Sequence, residues 1–338
     1  QQTEEDKGTY CTQLFEREAI RFLESHQGDE PFFLYVPFNA PHGSSALDPS
    51  IRSTVQAPDE FKRVYPPIEQ EYRQIEKYKY GGAARVVTAE TRKRDYRAAV
   101  TCMDAAIGKI IDLLEERQIL DHTIVVFFSD NGACPYQRLR TPGVRPGPAE
   151  SDIAYDARWA NMCNTPLRLY KQYAHEGGTT TPMIVHWPKG TQSPGTISRS
   201  VHHIVDLMPT VVELAGATYP LSHNGKPVSP MEGDSLLPTI KGKTVAKRKP
   251  IYWEFSSHHA VRDGKWKLGA ERGKDWELYD LSADRCETEN LVEQRPEIAK
   301  RLSAQYDGWA KRVGAKDHKK NRESKPRGQS ELFDLSKY

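Results

Sequence analysis

This chain of 338 residues has few cysteines, no long hydrophobic run and nearly equal numbers of basic and acidic residues. The five cysteines are an odd number and form no CxxC pair, so the sequence predicts neither a disulfide framework nor a zinc ribbon. No apolar run approaches the roughly 18 residues that a membrane span requires. The 48 basic and 46 acidic residues leave a formal net charge of +2, which favours neither nucleic acid nor a membrane surface as a partner.

The length exceeds what one small core needs and predicts one large domain with an appendage, or two domains. Changes in composition and in the pattern of apolar residues divide the chain into four parts. Residues 1–219 are predicted to form an α/β domain that is incomplete at its N-terminus, and 220–249 a linker rich in Pro, Gly, Ser and Lys. Residues 250–315 are predicted to form a smaller C-terminal α+β subdomain, and 316–338 a polar tail.

Apolar periodicity predicts helices that lead directly into strands in the first part of the chain. The helices are 12–26, 95–120 and 203–214, and the strands are 32–38, 123–128 and 181–187. Two helix-to-strand units in a row favour a parallel sheet covered by helices. Two stretches with little periodicity, 43–92 and 133–165, are predicted to be long loops, which are often functional but are alternatively solvated insertions.

The last part of the chain has the pattern of a small antiparallel sheet followed by a helix. Asp263-Gly264 lies between two short apolar runs and is a strong hairpin signal. The predicted strands lie around 251–255, 260–262, 266–268 and 276–279, and the helix at about 295–313.

Three separated segments carry residues suited to chemistry: Asn39–His42, Ser129–Gly132, and Lys171 followed by Glu176-Gly177-Gly178. The first two follow apolar runs that are predicted strands. Open α/β sheets place their functional side chains at the carboxyl ends of strands. We therefore expect these segments to meet in one pocket.

Each candidate residue has a chemical and a structural interpretation. Asp130 and Asn131 offer the oxygen ligands that calcium or magnesium takes, or they form an ordinary Asx-turn. His42 is a candidate general acid or donor to an anion, or a packed histidine. Lys171 is a candidate cation for an anionic group, or a solvated lysine.

Taken together, these segments resemble the sulfatase family, formylglycine-dependent and arylsulfatase-like, of the alkaline-phosphatase-like superfamily. The resemblance runs from about Tyr10 to Val313 and is strongest over 31–42, 96–132, 164–188 and 260–268. It implies an α/β fold with an alkaline-phosphatase-like sheet sandwiched by helices, and a smaller C-terminal antiparallel sheet plus helix.

The resemblance also implies a function and a site. The function is a sulfuric ester hydrolase that releases sulfate from a sulfated carbohydrate or an aryl sulfate. Asp130 and Asn131 would bind a divalent metal, usually Ca²⁺, while His42 would contact the sulfate and its leaving oxygen and Lys171 would bind the sulfate. The family implies a periplasmic or secreted protein, and since Gln1–Asp6 is too acidic to begin a secretory signal, any export signal is expected elsewhere.

The family's nucleophile has no counterpart among the five cysteines. Sulfatases carry, upstream of these motifs, two further metal-binding aspartates and a C-x-P-x-R or C-x-A-x-R motif whose cysteine becomes formylglycine. Cys134 has an arginine, Arg138, at the right spacing but Tyr136 in place of Pro or Ala, and Cys163 is one residue out of register. We therefore expect the chain to be inactive alone and to need an N-terminal segment, in cis or as a separate chain.

Two alternatives to a sulfatase stay open at this point. One is a phosphodiesterase or phosphonate hydrolase of the same superfamily, and the other is a degenerate sulfatase-like module that only binds sulfated glycans. The identity of the sulfated substrate does not follow from the sequence. The candidate substrate-binding residues, which are alternatively ordinary exposed polar residues, are Arg138, Arg140, His258 and His259.

Overall fold

The computed structural model describes residues 6, 9–42, 55–75, 84–135, 157–192, 194–243, 245 and 248–315. Arg138 and Arg140 lie outside the described residues, as does the predicted tail 316–338. In none of the helices within these ranges is there a stretch long and apolar enough to cross a membrane.

Helices and short strands alternate along the first part of the chain, and a compact sheet with one long helix ends it. The helices are α1 Cys11–Ser25, α2 Asp59–Lys62, α3 Ala89–Glu116, α4 Ala157–Asn164, α5 Glu176–Thr179, α6 Leu207–Leu214, α7 Leu237–Ile240 and α8 Pro296–Val313. The strands are β1 Tyr72–Ile75, β2 Ala84–Val87, β3 Val125–Phe128, β4 Met183–His186, β5 Ser222–His223, β6 Lys226–Pro227, β7 Ile251–Phe255, β8 His258–Asp263, β9 Trp266–Ala270 and β10 Glu277–Asp280.

The long helix α3 begins six residues before its predicted start. The hydroxyl of Thr88 accepts a hydrogen bond from the backbone N–H of Thr91 and so caps the helix, a signal that apolar periodicity does not contain. The Lys109 ammonium bonds the Glu16 carboxylate at 2.6 Å and ties α3 to α1. Residues 43–92 are therefore not one loop, because they also hold α2 and the antiparallel β1–β2 hairpin.

Strands β3 and β4 pair antiparallel, with Phe128 opposite Met183, so the expected parallel arrangement is wrong for this pair. A helix followed by a strand fixes which elements are neighbours in sequence but not the direction in which strands pair. Here the chain leaves β3 and re-enters β4 at the same edge, which requires antiparallel pairing. This return brings the two predicted motifs after β3 and before β4 to a single edge.

The apolar segment 32–38, predicted as a strand, pairs with no other strand within the described part of the chain. Phe33 and Tyr35 are 70% and 69% exposed. An extended segment becomes a strand only when a neighbour accepts and donates its backbone hydrogen bonds. The prediction fails here because strand pairing is a tertiary event.

The C-terminal sheet has the order β10-β9-β8-β7, all antiparallel, and confirms the predicted strands and helix. Gly264, with a φ of 61°, makes the predicted turn between β8 and β9. Helix α8 packs on one face of the sheet and closes a core of Val261, Leu268, Leu278, Leu302 and Tyr306. The opposite face meets residues 168–180.

The stretch 220–249, predicted as a linker, carries the β5–β6 hairpin and α7. It is tied to the fully buried Asp206, which accepts hydrogen bonds from the Arg248 guanidinium and from the backbone N–H of Asp234. Burial alone would raise the pKa of Asp206, but bonds from His202, Arg248 and two backbone N–H groups lower it. The division of the chain into domains stays a prediction.

Candidate active site

The candidate metal turn follows β3 directly. The Ser129 hydroxyl donates to the Asn131 carbonyl at 3.1 Å and tightens the turn. The side chain of Asp130 is exposed and that of Asn131 is half-buried. For Asp130, no hydrogen bond or ion pair to its carboxylate occurs among the residues that the structure describes, so this carboxylate is open to a ligand.

Three glycines lock this turn against the Glu176-Gly177-Gly178 motif. The backbone N–H of Gly132 donates to the Gly178 carbonyl at 3.1 Å. A Cβ on Gly132 would lie 1.8 Å from the Gly177 oxygen, and one on Gly177 would lie 2.0 Å from the Leu169 oxygen. Only glycine allows backbones to approach this closely. We call Gly132, Gly177 and Gly178 the glycine junction.

Lys171 lies next to the glycine junction. Its backbone N–H donates to the carbonyl of Ala133 at 3.0 Å, and its side chain is half-buried. The structure thus brings the Asp130-Asn131 turn and the Lys171 segment together at one edge of the β3–β4 pair. The chemical roles of these three residues stay predictions.

His42 sits on a different segment, at the end of the stretch 31–42. Its backbone N–H donates to the Asn39 carbonyl at 2.9 Å across a turn that contains a cis Ala40–Pro41 bond. The Cys11 thiol, at the start of α1, lies 3.6 Å from the Asn39 amide oxygen. The His42 side chain is exposed, and its convergence with Lys171 stays a prediction.

The donors on this turn fit a calcium ion in kind but are too few to hold one. Asp130 and Asn131 offer hard oxygens, whereas Ca²⁺ takes about six to eight of them. Over the described ranges, no group of three or more His, Cys, Asp or Glu side chains could hold a metal. The Asp130-Asn131 turn therefore offers part of a cation site among the residues that the structure describes.

A buried ion cluster behind the glycine junction was not anticipated from the sequence. Lys267 of β9, which is 1% exposed, lies 2.9 Å from one Glu176 oxygen and 3.1 Å from one Glu287 oxygen. The other Glu287 oxygen accepts from the Glu176 backbone N–H at 2.7 Å. Burial would raise the pKa of Glu176, but Lys267 and Thr180 outweigh it and lower the pKa. The cluster anchors the start of α5 to the C-terminal sheet.

A second cluster joins the same two parts. The Arg168 guanidinium donates to the Tyr279 hydroxyl at 2.5 Å and lies 3.3 Å from Glu277, which also bonds the ring of His175 at 3.0 Å. The bond from His175 is the main reason that the pKa of Glu277 falls to about 2. A cleft of about 570 Å³ borders Arg168 and Glu277, but these charges are already paired with each other.

His258 and His259 lie on opposite faces of β8, so they do not both line one pocket. Side chains alternate along a strand. The ring of His258 faces Tyr173 at 4.6 Å between centroids, on the face of the sheet that meets residues 168–180. The ring of His259 is 1% exposed and packs on Trp276 in the core under α8. Of these two histidines, only His258 is accessible enough to contact a substrate.

Burial lowers the pKa of His258 to about 4, with smaller contributions from Arg272, His175 and His259. Its Nδ1 accepts a hydrogen bond from the backbone N–H of Arg272 at 3.3 Å. The ring is therefore neutral near pH 7 and offers one further N–H for a hydrogen bond.

The chain combines a mixed α/β part, a glycine-locked turn and a small C-terminal antiparallel sheet. The family profile described as Sulfatase matches residues 1–217, and the one described as N-sulphoglucosamine sulphohydrolase, C-terminal, matches residues 168–311. The chain belongs to the sulfatase family, which confirms the family and the fold expected from the motifs.

Individual relatives cover most of this chain. An uncharacterised sulfatase of Schizosaccharomyces pombe is 29% identical over 88% of the chain and 60% of its own length. The N-acetylgalactosamine-6-sulfatase of Homo sapiens is 26% identical over 83% of the chain and 42% of its own length. The crystal structure of Ps i-CgsB in complex with k-i-k-neocarrahexaose is 25% identical, with a TM-score of 0.63 over 89% of this chain and 55% of that one. The chain therefore spans about half the length of these relatives.

Proposed function

We propose that this chain is part of a sulfuric ester hydrolase that releases inorganic sulfate from a sulfated carbohydrate or an aryl sulfate. The observation that carries the proposal is the glycine junction. It holds an open carboxylate, Asp130, and a cation, Lys171, on adjacent segments of a chain that belongs to the sulfatase family.

Each residue has a distinct task in this proposal. Lys171 binds the anionic sulfate, and His42 donates a proton or hydrogen bond to the leaving oxygen, because an alkoxide departs poorly without one. Asp130 and Asn131 contribute two of the ligands of a divalent cation, probed as Ca²⁺. When bound, that cation neutralises charge on the sulfuryl oxygens.

The nucleophile and the remaining metal ligands belong, in this proposal, to an N-terminal segment of the whole protein. Formylglycine in that segment would supply the attacking oxygen. The exposed apolar side chains support the idea, because Phe33, Phe127 and Ile184 are 70%, 42% and 62% exposed on segments 31–42, β3 and β4. Apolar strands that face water in this way normally pair with or pack against further structure.

A sulfated carbohydrate is the substrate class that we favour. One structural neighbour was solved with k-i-k-neocarrahexaose, and one relative is an N-acetylgalactosamine-6-sulfatase. His258, neutral and half-buried beside Tyr173, suits a hydrogen bond to a sugar hydroxyl. A phosphonate hydrolase or a glycan-binding module remains the competing proposal.

Matched substrates distinguish these functions. The whole protein, including any N-terminal segment, is assayed with an aryl sulfate and the corresponding aryl phosphate in the presence of Ca²⁺. Preferential release of sulfate supports the proposal. Preferential phosphate release favours the phosphohydrolase, and sulfated-glycan binding without turnover of either ester favours the binding module.

Replacing the proposed sulfate-binding residues tests the site itself. Lys171→Ala or His42→Ala in the whole protein should lower kcat/KM by about a hundredfold or more, the scale for losing one preorganised charge-stabilising donor. Lys226→Ala, an exposed lysine of the β5–β6 hairpin, is the matched control and should leave the rate unchanged. An unchanged rate for Lys171→Ala would remove its assigned role.

A further inference from the structure

Asn164, the last residue of α4, bonds to three backbone segments of the candidate site: the turn after β3, the segment before Lys171 and the glycine junction. Its amide nitrogen donates to the Leu169 carbonyl at 3.0 Å and to the Gly177 carbonyl at 2.8 Å. Its amide oxygen accepts from the backbone N–H of Ala133 at 3.2 Å. Both N–H groups and the oxygen of one side chain are thus used, each on a different segment.

The three bonded segments carry or adjoin Asp130, Asn131 and Lys171, whereas His42 lies on a separate segment. Ala133 comes three residues after Asp130, Leu169 comes two residues before Lys171, and Gly177 is the centre of the glycine junction. Apart from those of Asn164, the direct bonds between these segments are backbone contacts of Gly132 with Gly178, of Lys171 with Ala133 and of Gly177 with Arg168. The amide adds to these contacts by joining the 130–133 turn, through one side chain, to the carbonyls of Leu169 and Gly177.

We propose that Asn164 is a positioning residue for the hydrolytic site: it sets the Asp130-Asn131 turn relative to Lys171 without touching substrate or cation. The proposal rests on the function proposed above. Replacing a residue that orients a metal ligand without binding the metal typically lowers metal affinity or activity by about 10- to 100-fold. Small displacements of positioned groups have effects of similar size on rate.

Only an amide meets all three demands at this point. A carboxylate of the same shape would keep the bond from the Ala133 N–H but would direct a second oxygen at the Leu169 and Gly177 carbonyls. Alanine would remove all three bonds. Asn164→Asp thus tests the two donor bonds specifically, and Asn164→Ala tests the whole set.

Asn290 provides a matched control in the C-terminal subdomain. Its amide oxygen accepts from the backbone N–H groups of Leu278 and Val292, each at 3.0 Å. Asn290→Ala therefore removes hydrogen bonds of the same kind from a loop that bears none of the candidate residues. Any loss that both alanine variants share is a stability effect.

The experiment measures Tm, kcat, KM and Ca²⁺ affinity by titration calorimetry in the whole protein. Asn164→Asp and Asn164→Ala should lower kcat and weaken Ca²⁺ binding by about tenfold or more. Asn290→Ala should lower only Tm. If Asn164→Asp does not fold, Asn164→Ser, which keeps one hydroxyl for hydrogen bonding, takes its place.

Two outcomes overturn the proposal. One is a fall in Tm for the Asn164 variants with kcat and Ca²⁺ affinity kept at the wild-type value, and the other is equal effects of Asn164→Ala and Asn290→Ala on every measurement. Asp130→Ala separates this failure from that of the proposed function. If Asp130→Ala abolishes Ca²⁺ binding and the Asn164 variants bind Ca²⁺ as wild type does, only the role of Asn164 is wrong. If Asp130→Ala itself binds Ca²⁺ as wild type does, the metal assignment is refuted.

Discussion

At the scale of single residues, a methyl group on Gly132 would lie 1.8 Å from the Gly177 carbonyl oxygen, well inside van der Waals contact. Gly132→Ala should destabilise the protein by about 3 kcal/mol or more, because two backbones must separate. Gly308→Ala, on the exposed face of α8 with nothing within 4 Å of its Cβ, should instead stabilise it slightly. Chemical denaturation of both variants measures the difference, and equal stabilities would contradict the locked junction.

His258 should make stability depend on pH. Since burial lowers its folded pKa from 6.5 to about 4, the unfolded chain binds the proton more readily. Stability should therefore be full above pH 6.5 and fall as the pH decreases from 6.5 to 4, by at most about 1.4 kcal/mol per pH unit from this group. His258→Gln should flatten that slope, and the exposed His223→Gln should not. Denaturation curves between pH 4 and 6.5 measure this dependence. If the ring of His258 were not desolvated, stability would change with pH to the same extent in His258→Gln as in wild type.

At the scale of elements, Lys267 and Lys265 sit two residues apart around the start of β9 but make very different ion pairs. Lys267 is buried between Glu176 and Glu287, whereas Lys265 pairs with Asp280 on the surface. Lys267→Met should cost about 3–5 kcal/mol because it leaves two carboxylates buried without their partner. Lys265→Met should cost no more than about 1 kcal/mol.

The elements that this cluster joins suggest a second measurement. Lys267 lies on the C-terminal sheet, and Glu176 begins α5, five residues after Lys171. Hydrogen exchange in Lys267→Met should therefore rise at the amides of 170–178 as well as in β9. Protection of 170–178 that matches wild type would show that the C-terminal sheet does not hold this segment in place.

At the scale of the whole molecule, residues 1–338 expressed alone should not hydrolyse an aryl sulfate in the presence of Ca²⁺. No cysteine here has the sequence context for formylglycine, and Phe33, Phe127 and Ile184 on segment 31–38, β3 and β4 are exposed. The preparation should bind a hydrophobic dye and aggregate. Adding the N-terminal segment that we propose should reduce dye binding. A soluble, cooperatively unfolding and active preparation of these residues would refute the proposal.

Much of the local structure could be predicted from the chain itself, because helices and hairpins depend on nearby residues. Periodicity located α1, most of α3, β3, β4 and α8, and Asp263-Gly264 located the hairpin between β8 and β9. The segments Asn39–His42, Ser129–Gly132 and Lys171 with Glu176-Gly177-Gly178 together indicated the sulfatase family. Boundaries that depend on a cap, such as Thr88 at the start of α3, were less accessible because they rest on one side-chain bond.

Pairing and burial were decided only by the tertiary structure, since they depend on segments far apart in sequence. The antiparallel direction of β3 and β4, the missing partner of 32–38 and the core position of His259 all depend on which segments meet. The buried Lys267 and the bridging amide of Asn164 look like ordinary polar residues in the sequence. Lys267 is distinguished by its bond to Glu176, 91 residues away in sequence. Asn164 is distinguished by its bonds to three backbone segments. Only folding brings these partners within hydrogen-bonding distance.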